Sequence, residues 1–319
     1  MKPLRFIPDG THIPFMKDRF WSFPLSGLLV IASIALYLIF NLNFGIDFRG
    51  GTLIEVKTAE QVADVGDMRA KLGTLGLGDV EVQEFGAPDT VLIRVQTQDA
   101  GEEGHEKAQQ NVVTLVKETL GNTVEYRRVE VVGPRVSGEL ASAGSIAVIS
   151  ALFAVLVYIW FRFEWQFALG AVIATSHDVI LTIGIFALLQ MEFNLSTIAA
   201  VLTIVGYSLN DTVVVYDRIR ENLRKYKKKP LTEVLDLSIN QTLSRTLLTS
   251  VTTLLALGSL YFLGGEVIRS FTFAMIWGVF VGTYSSIFIA SPLLIFLKLR
   301  SEQVAVPSET DEAGNVTAS

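Results

Sequence analysis

The chain has 319 residues, of which 50% are hydrophobic and 18% are charged, with a formal net charge of −6 and a mean hydropathy of +0.45. This composition is typical of a membrane protein and argues against a basic nucleic-acid-binding protein. The absence of cysteine excludes disulfides, thiolate metal sites and cysteine nucleophiles. The three histidines, at 12, 105 and 177, are too far apart in the chain to favour a metal centre. We therefore predict neither a metal nor a cofactor.

Six apolar runs are long enough to cross a bilayer, which takes about 20 residues of helix. They lie at 24–42, 141–161, 166–189, 195–216, 246–264 and 270–297. The first run follows a basic N-terminal segment, 1–23. Its length and the lack of a small-residue cleavage site favour a membrane anchor over a signal peptide. The sequence thus predicts a polytopic α-helical membrane protein with six transmembrane helices.

Between the first and second spans, at 43–140, the apolar pattern changes to the alternation of β-strands. Four strands are predicted, at 52–57, 80–85, 91–96 and 124–131. Residues 86–89 are the predicted central hairpin turn. Two amphipathic helices are predicted at 61–75 and 103–120, with apolar faces formed by Val62, Val65, Met68 and Leu72 and by Ala108, Val112, Leu115 and Val116.

The resulting order, β-α-β-β-α-β, predicts a ferredoxin-like α+β domain. The insert has no phosphate loop, nucleophile elbow or paired carboxylates. A ferredoxin-like sheet hosts many functions, so the fold alone does not assign one. By elimination, a docking or binding module is favoured over an enzyme.

Positive charge in the short loops predicts the orientation in the membrane. The segment 217–245 carries eight Lys and Arg residues, whereas 190–194 carries none. The positive-inside rule then places both termini and the predicted loop 217–245 in the cytosol and the insert outside. The run Lys227–Lys229 is interpreted as a topology determinant at the lipid headgroups rather than a binding patch. The polar, acidic tail at 301–319 is predicted to be disordered and cytosolic.

Ionisable residues inside the apolar spans are the functional candidates, because each costs about 2.5 to 3.5 kcal/mol at a helix centre. The third span carries His177 and Asp178, the fourth carries Asn210 and Asp211, and Arg245 stands at the start of the fifth. With a rise of about 1.5 Å per residue, Asp211 and Arg245 reach similar depths near the cytosolic side and are predicted to pair. Asp178 is predicted to lie deeper.

Burial and a neighbouring guanidinium act in opposite directions on the proton affinity of a carboxyl group. A carboxyl group whose arginine partner moves away can therefore bind a proton in one conformation and release it in another. A static Asp–Arg pair that only holds helices together is the alternative. For His177, an interhelical hydrogen bond is favoured over a relay role.

The sixth span carries small residues at four-residue spacing: Gly278, Gly282, Ser286 and Ala290. Such a stripe permits close contact between helices. Packing within this bundle is favoured over a seam between subunits.

Four runs of sequence carry a resemblance to a known family. They are GIDFRGGT at 45–52, VGPRVSGEL at 132–140, GYSLNDTVVVYDRIREN at 206–222 and SINQTLSRT at 238–246. In this order they resemble the SecF branch of the SecD/SecF family, which belongs to the bacterial Sec protein-export machinery and to the resistance-nodulation-division superfamily. The resemblance extends over about residues 20–300.

The resemblance implies a non-enzymatic subunit of the cytoplasmic (inner) membrane that pairs with SecD. It implies action with the SecYEG channel, the SecA motor and YidC/YajC-type accessory proteins on translocating unfolded polypeptide, without nucleic acid. It also implies use of the proton-motive force in late steps of export, with protons passing Asp211 and Arg245 and a SecD aspartate completing the cluster. The segment that links the first span to the insert in this family matches Gly45, Asp47, Gly50 and Gly51.

Two alternatives stay open. One is half of a proton-driven exporter of small molecules or lipids in the same superfamily, and the other is a proton-independent scaffold of the translocon. Drug exporters of the superfamily that the chain resembles carry a second large outer loop. Residues 190–194 leave no room for such a loop in this chain. This favours the export subunit.

Overall fold

The computed structural model describes residues 11–98 and 105–299, without the side chains of residues 105, 106 and 122. The predicted tail at 301–319, the first ten residues of the N-terminal segment and the first two residues of the helix predicted at 103–120 lie outside these ranges.

The first apolar span forms one helix, α1 (Arg19–Phe40). The chain then enters the two-residue strand β1 (Asn43–Phe44) and the single-turn helix α2 (Ile46–Arg49). These short elements join the first span directly to the insert.

The insert folds into a four-stranded sheet with two helices. Its elements are β2 (Gly51–Thr58), α3 (Val65–Gly73), β3 (Val80–Phe85), β4 (Ala87–Val95), α4 (His105–Leu120) and β5 (Val124–Val132). The strand order is β3-β4-β2-β5, and each neighbouring pair is antiparallel. The two central strands are buried on both faces, because α3 and α4 cover one face and Ile46 of α2 covers Leu53 and Leu92 on the other.

The hairpin turn between β3 and β4 is shorter than predicted. Phe85 pairs with Ala87, so that Gly86 alone makes the turn. Its φ of 75° lies in the left-handed region, which glycine adopts without a steric penalty. The predicted turn at 86–89 is therefore wrong beyond its first residue.

The helix faces of the insert also differ in part from the prediction. The first helix begins only after Asp64, whose side chain caps it by accepting a backbone N–H, and Val62 is left exposed. In α4, Leu115 is exposed, while Gln109 is buried. The hydroxyl of Thr52 on β2 donates to Gln109 Oε1, which provides the partner that a buried amide needs.

After the insert the chain forms a helical bundle. Its elements are α5 (Pro134–Arg162), α6 (Trp165–Leu189), β6 (Glu192–Phe193), α7 (Leu195–Lys225), α8 (Leu231–Leu263), α9 (Arg269–Ser285), a π-helical turn (Ser286–Ala290) and α10 (Ser291–Phe296). Within the described residues, six helical segments including α1 are long and apolar enough to span a membrane, the last running from Glu266 to Phe296. The six predicted spans are thereby confirmed as helices.

The predicted loop at 217–245 is largely helical. Helix α7 continues to Lys225 and α8 begins at Leu231. Asn222 on α7 donates through Nδ2 to Ser238 Oγ and to Gln241 Oε1 on α8, each at 2.9 Å. Hydropathy alone does not reveal these extensions, because polar contacts between the two helices stabilise them.

The bundle has a buried centre and an open periphery. Of the most apolar stretch of each span, 56% is buried in α6, 44% in α7 and 61% in the last span, against 11% in α1, 6% in α5 and 11% in α8. The helices at the centre are therefore those that carry His177, Asp178, Asn210 and Asp211.

The segment before α1 is attached to the bundle. Phe15 and Met16 are buried in the core. The N–H of Met16 donates to Asp236 Oδ1 on α8 at 2.8 Å, and the N–H of Ile13 donates to Asn240 Oδ1 at 3.0 Å. This part of the N-terminal segment is thus a component of the fold.

Candidate functional site

The centre of the bundle holds a fully buried carboxyl group, that of Asp178 on α6. Its Oδ2 accepts hydrogen bonds from Ser208 Oγ on α7 at 2.6 Å and from Ser285 Oγ on α9 at 2.7 Å. Its Oδ1 lies 3.0 Å from Nδ1 of His177. The three central helices therefore meet at one carboxyl group. Sequence reasoning missed both serines; the available signal was that each is a small polar residue inside an apolar span.

His177 is buried beside Asp178, but its contacts are not those expected. Its Nδ1 faces the carboxyl group of its own helix, and its ring packs at 6.4 Å from the ring of Tyr284. Its Nε2 is buried and has no hydrogen-bond partner among the described residues. The predicted interhelical hydrogen bond is therefore absent, because the nearest acceptor belongs to the adjacent residue.

The small residues of the last span let α7 and α9 approach closely. A methyl group on Gly278 would overlap the side chain of Ile204, and one on Gly282 would lie 3.2 Å from Ser208 Cβ. The same approach brings the Ser208 hydroxyl within reach of Asp178. This half of the predicted stripe packs inside the bundle.

The other half of the stripe lies in the π-helical turn, so that the sixth span is not one continuous α-helix. Ser286 O accepts a hydrogen bond from Ser291 Oγ at 3.0 Å. Ala290 O accepts one from the hydroxyl of buried Tyr216 on α7 at 3.1 Å, and Gly170 on α6 packs against the same hydroxyl. Single π turns are frequent at functional sites, and this one directly follows Ser285.

Asp211 on α7 is 4% exposed, and its Oδ2 has no hydrogen-bond partner among the described residues. Arg245 on α8 is exposed. No hydrogen bond or ion pair within 4.0 Å joins the two side chains in the part of the chain that the structure describes, although Arg245 is near enough for its charge to act on Asp211; their direct pairing stays a prediction. The turn of α8 directs Thr246 inward instead, and its hydroxyl is also buried without a partner.

An exposed polar face adjoins this acid. It consists of Thr203, Gly206 and Asn210 on α7 and of Arg245 and Thr252 on α8, with the exposed Leu248 between the last two, and we call it the α7–α8 polar face. The two halves adjoin, because the hydroxyl of Tyr207 donates to Thr253 Oγ1 at 3.4 Å across the helices. Polar groups facing hydrocarbon are costly, so this face is suited to contact another polypeptide.

The segment at 45–51 fastens the insert to the bundle. Strands β1 and β6 pair in parallel, and the N–H of Gly45 donates to Phe193 O at 2.9 Å. The N–H of Leu195, the first residue of α7, donates to Asp47 Oδ2 at 2.9 Å. Asp47 thereby adds to the cap that Asn194 forms on the helix that carries Asp211, and a carboxylate at this position also suits the helix dipole.

The two consecutive glycines of this segment have backbone conformations that other residues rarely adopt. The φ angles are 72° at Gly50 and 114° at Gly51. A Cβ on Gly50 would lie 2.8 Å from Thr97 Oγ1, and one on Gly51 would overlap Val95 O. Glycine is therefore required at both positions for β2 to begin immediately after α2.

A charged contact at the same junction escaped the sequence analysis. Arg94 on β4 is 7% exposed; its Nη1 donates to Glu81 Oε2 at 2.9 Å and its Nη2 lies 3.6 Å from Glu192 Oε1 on β6. The available signal was an arginine within the apolar strand VLIRV at 91–95.

Burial raises the pKa of Glu192, against the opposing effect of Arg94. The docked form thus binds a proton more tightly than an exposed glutamate does. The contribution of Glu192 to docking of the insert is therefore fully present at a pH below the ordinary pKa of a glutamate. It is lost as the pH rises through the raised pKa of the docked form.

The site chemistry is limited to carboxyl, hydroxyl, imidazole and guanidinium groups. Among the described residues, no group of three or more His, Asp or Glu side chains is placed to hold a metal ion. The fold and the buried acids define a polytopic helical membrane protein with an inserted domain and buried carboxyl groups in its spans.

Comparison with known families identifies the chain further. The family model for the C-terminal part of the protein export membrane proteins SecD and SecF matches residues 111–300, and the model for the SecD/SecF GG motif matches residues 39–62. The second match includes all four residues of the predicted linking motif. The chain therefore belongs to the SecD/SecF family of protein export membrane proteins.

Curated relatives and solved structures agree with this assignment. The chain is 46% identical to a protein translocase subunit SecF of Rhodobacter capsulatus, over 96% of this chain and 95% of the relative. It is 49% identical to the SecF of Rickettsia akari, over 92% and 94%. It is similar to the crystal structure of SecDF from Thermus thermophilus, with a TM-score of 0.80 and 36% identity over 91% of this chain. It spans only 39% of that SecDF chain.

Proposed function

We propose that this chain is a SecF-type subunit that works with SecD in protein export and uses the proton-motive force in its late steps. The export role is supported by relatives that are 46% and 49% identical over nearly their whole length and are named protein translocase subunit SecF. Membership of this family also disfavours a small-molecule exporter.

The observation that carries the proton coupling is the position of α7. This helix holds Asp211, whose Oδ2 is buried without a partner, and its first N–H is bonded to Asp47 of the segment that fastens the insert. The two positions are 16 residues apart, which is about 24 Å along a helix. A protonation change that moves α7 is therefore transmitted to the insert by one rigid element.

We propose a proton pathway in which Asp211, Asn210 and Arg245 form a half-site at the α7–α8 polar face, with Asp178 and His177 deeper in the bundle. Arg245 is exposed and has no acidic partner within 4.0 Å among the described residues. It is therefore free to approach either Asp211 or an acid of a partner. Each proton that crosses supplies about 2.3 kcal/mol per 100 mV.

SecD is the partner that we propose for the α7–α8 polar face, with a SecD aspartate completing the half-site. In the SecDF relative of Brucella abortus, the region that matches 99% of this chain makes up 40% of the protein, which supports a second half in the same assembly. Contacts with SecYEG, SecA and YidC/YajC-type proteins are proposed from the family resemblance.

The insert, residues 43–140, is proposed to be a ferredoxin-like extracytoplasmic domain that docks unfolded polypeptide during translocation. Its antiparallel strand order, β3-β4-β2-β5, supports this fold. The basic residues at 217–245 support a multi-pass orientation in the inner membrane with both termini cytosolic. A reporter fused at residue 230 that reads as extracytoplasmic would overturn this orientation.

The coupling is tested by Asp211→Asn in membrane vesicles that contain the partner subunits. We expect the variant to lose the acceleration of late preprotein export by the proton gradient, because the amide does not exchange a proton, and Asp211→Glu to retain part of it. Asp18→Asn removes the same charge at an exposed position next to α1 and serves as the control. Unchanged gradient dependence in Asp211→Asn would refute the coupling and favour a proton-independent scaffold.

A further inference from the structure

A basic cavity lies where α5 ends beside the polar extension of α7. Its volume is about 510 Å³, and it is lined by Arg162, Asp217, Arg220, Glu221, Arg224 and Lys225. The lining residues of α7 recur at 217, 220, 221, 224 and 225, which is one face of a helix. The cavity is thus a feature of two packed helices rather than of a loose run of charges.

The charges around this cavity leave a surplus of cations. Its two acids are each already paired: Asp217 with Arg162 at 3.1 Å, and Glu221 with Arg218, which does not line the cavity, at 2.8 Å. No acid lies within 4.0 Å of the cationic groups of the other three basic lining residues in the described part of the chain: Arg220, Arg224 and Lys225. An anion that enters the cavity therefore meets uncompensated positive charge.

One of these cations is held in place by the fold. The Arg220 guanidinium lies 5.9 Å from the ring centroid of buried Phe163, and its Nη1 donates to Arg162 O at 3.3 Å. The Arg162 guanidinium lies 5.1 Å from the same ring. Two arginines are thus positioned by a single aromatic side chain before any ligand arrives.

Exposed aromatic side chains place the cavity at the depth of the lipid headgroups. Trp160, Phe161 and Trp165, which flank Arg162 in the chain, are 63%, 86% and 54% exposed. Tryptophan is enriched at membrane–water interfaces. Between two and four turns before Arg162, α5 exposes Phe153 and Ile149, so hydrocarbon reaches to the edge of the cavity.

We propose that this cavity binds the phosphate headgroup of an anionic phospholipid, with Arg220, Arg224 and Lys225 contacting the phosphate and the acyl chains lying along α5. Basic cavities between spanning helices are a recognised mode of headgroup binding. The site is separate from the acids of the bundle centre and does not depend on proton coupling.

The test is lipid retention by the full chain in detergent micelles. Phosphatidylglycerol is titrated, and bound lipid is counted by native mass spectrometry, with phosphatidylcholine as the neutral probe. The variant Arg224→Gln/Lys225→Gln changes two exposed side chains of the cavity. At about 1 kcal/mol per basic residue, we expect phosphatidylglycerol to bind about 30-fold more weakly.

The matched control is Lys227→Gln/Lys228→Gln, which removes the same charge from the turn after α7, outside the cavity. We expect this control to retain phosphatidylglycerol within about 3-fold of the unmodified chain. If both variants lose the same affinity for phosphatidylglycerol, then the lipid responds only to general surface charge and the proposed site is wrong. Equal retention of phosphatidylcholine, displacement of the lipid by inorganic phosphate at similar concentration, or tighter binding of an RNA oligonucleotide at the same residues would also overturn the site.

Discussion

Removing the two hydroxyl groups that bond to Asp178 should destabilise the bundle by several kcal/mol. Ser208 and Ser285 donate to the same carboxyl oxygen, at 2.6 Å and 2.7 Å, and all three residues are at most 1% exposed. A hydrogen bond to a charged group contributes about 1.5 to 3 kcal/mol. We therefore expect a loss of about 1.5 to 3 kcal/mol for Ser208→Ala or Ser285→Ala and of about 3 to 6 kcal/mol for the double variant.

The assay is reversible unfolding of the purified chain in detergent, with the free energy of unfolding measured for each variant. Ser259→Ala is the control, because Ser259 is exposed on α8 and its hydroxyl bonds only to Leu255 O of its own helix among the described residues; we expect a change within about 0.5 kcal/mol. Repeating the serine changes with Asp178→Asn should reveal coupling of about 0.5 to 3 kcal/mol. If the serine variants lose no more free energy of unfolding than the control, or show no coupling to Asp178, then the two hydroxyl groups do not stabilise the bundle through this carboxyl group.

The same variants separate a structural acid from a proton carrier. If the double serine variant folds less stably but retains gradient-dependent export, then Asp178 acts by holding α6, α7 and α9 together. Loss of gradient dependence at a temperature where the variant is fully folded would instead support its place in the proton pathway.

Three further predictions concern the junctions between elements. Asp47→Ala removes the acceptor for the first N–H of α7 and should cost about 1 kcal/mol locally, measured as faster hydrogen exchange in β1 and β6; unchanged exchange would contradict the cap. Gly278→Ala should lower the free energy of unfolding by about 1 to 3 kcal/mol because the methyl group overlaps Ile204, whereas Gly206→Ala, with nothing within 4 Å, should not. The protection of the junction amides, taken as the exchange rate relative to the intrinsic rate at each pH, should fall as pH rises through the raised pKa of Glu192, and Glu192→Gln should remove this fall; a fall that persists would assign it to another group.

Local pattern was enough to find most of the elements. Each apolar run of about 20 residues becomes a helix, because a backbone in hydrocarbon satisfies its polar groups only internally. The alternating runs form strands, because successive side chains of a strand point to opposite faces of the sheet. Local signals failed where another element supplies the partner: α7 and α8 extend past the apolar runs because Asn222 bonds to Ser238 and Gln241.

The candidate site was only partly predictable. Charged residues in apolar spans are conspicuous, so Asp178, Asp211 and Arg245 could be named from the sequence. Their partners could not, since the rotation of each helix about its axis decides them. That rotation turns Arg245 outward and Thr246 inward, and no hydrogen bond or ion pair within 4.0 Å joins Arg245 to Asp211 among the residues that the structure describes.

The sequence by itself determined the number of spans, the position of the insert and the identity of the intramembrane acids, because these depend on hydrophobicity and charge along the chain. Only the tertiary structure decided which atoms meet: the two serines on Asp178, Asp47 on the first N–H of α7, and Arg94 facing Glu192. Each of these contacts joins residues 30 or more positions apart. Such contacts are set by helix rotation and close packing, on which the local pattern of the chain carries no information.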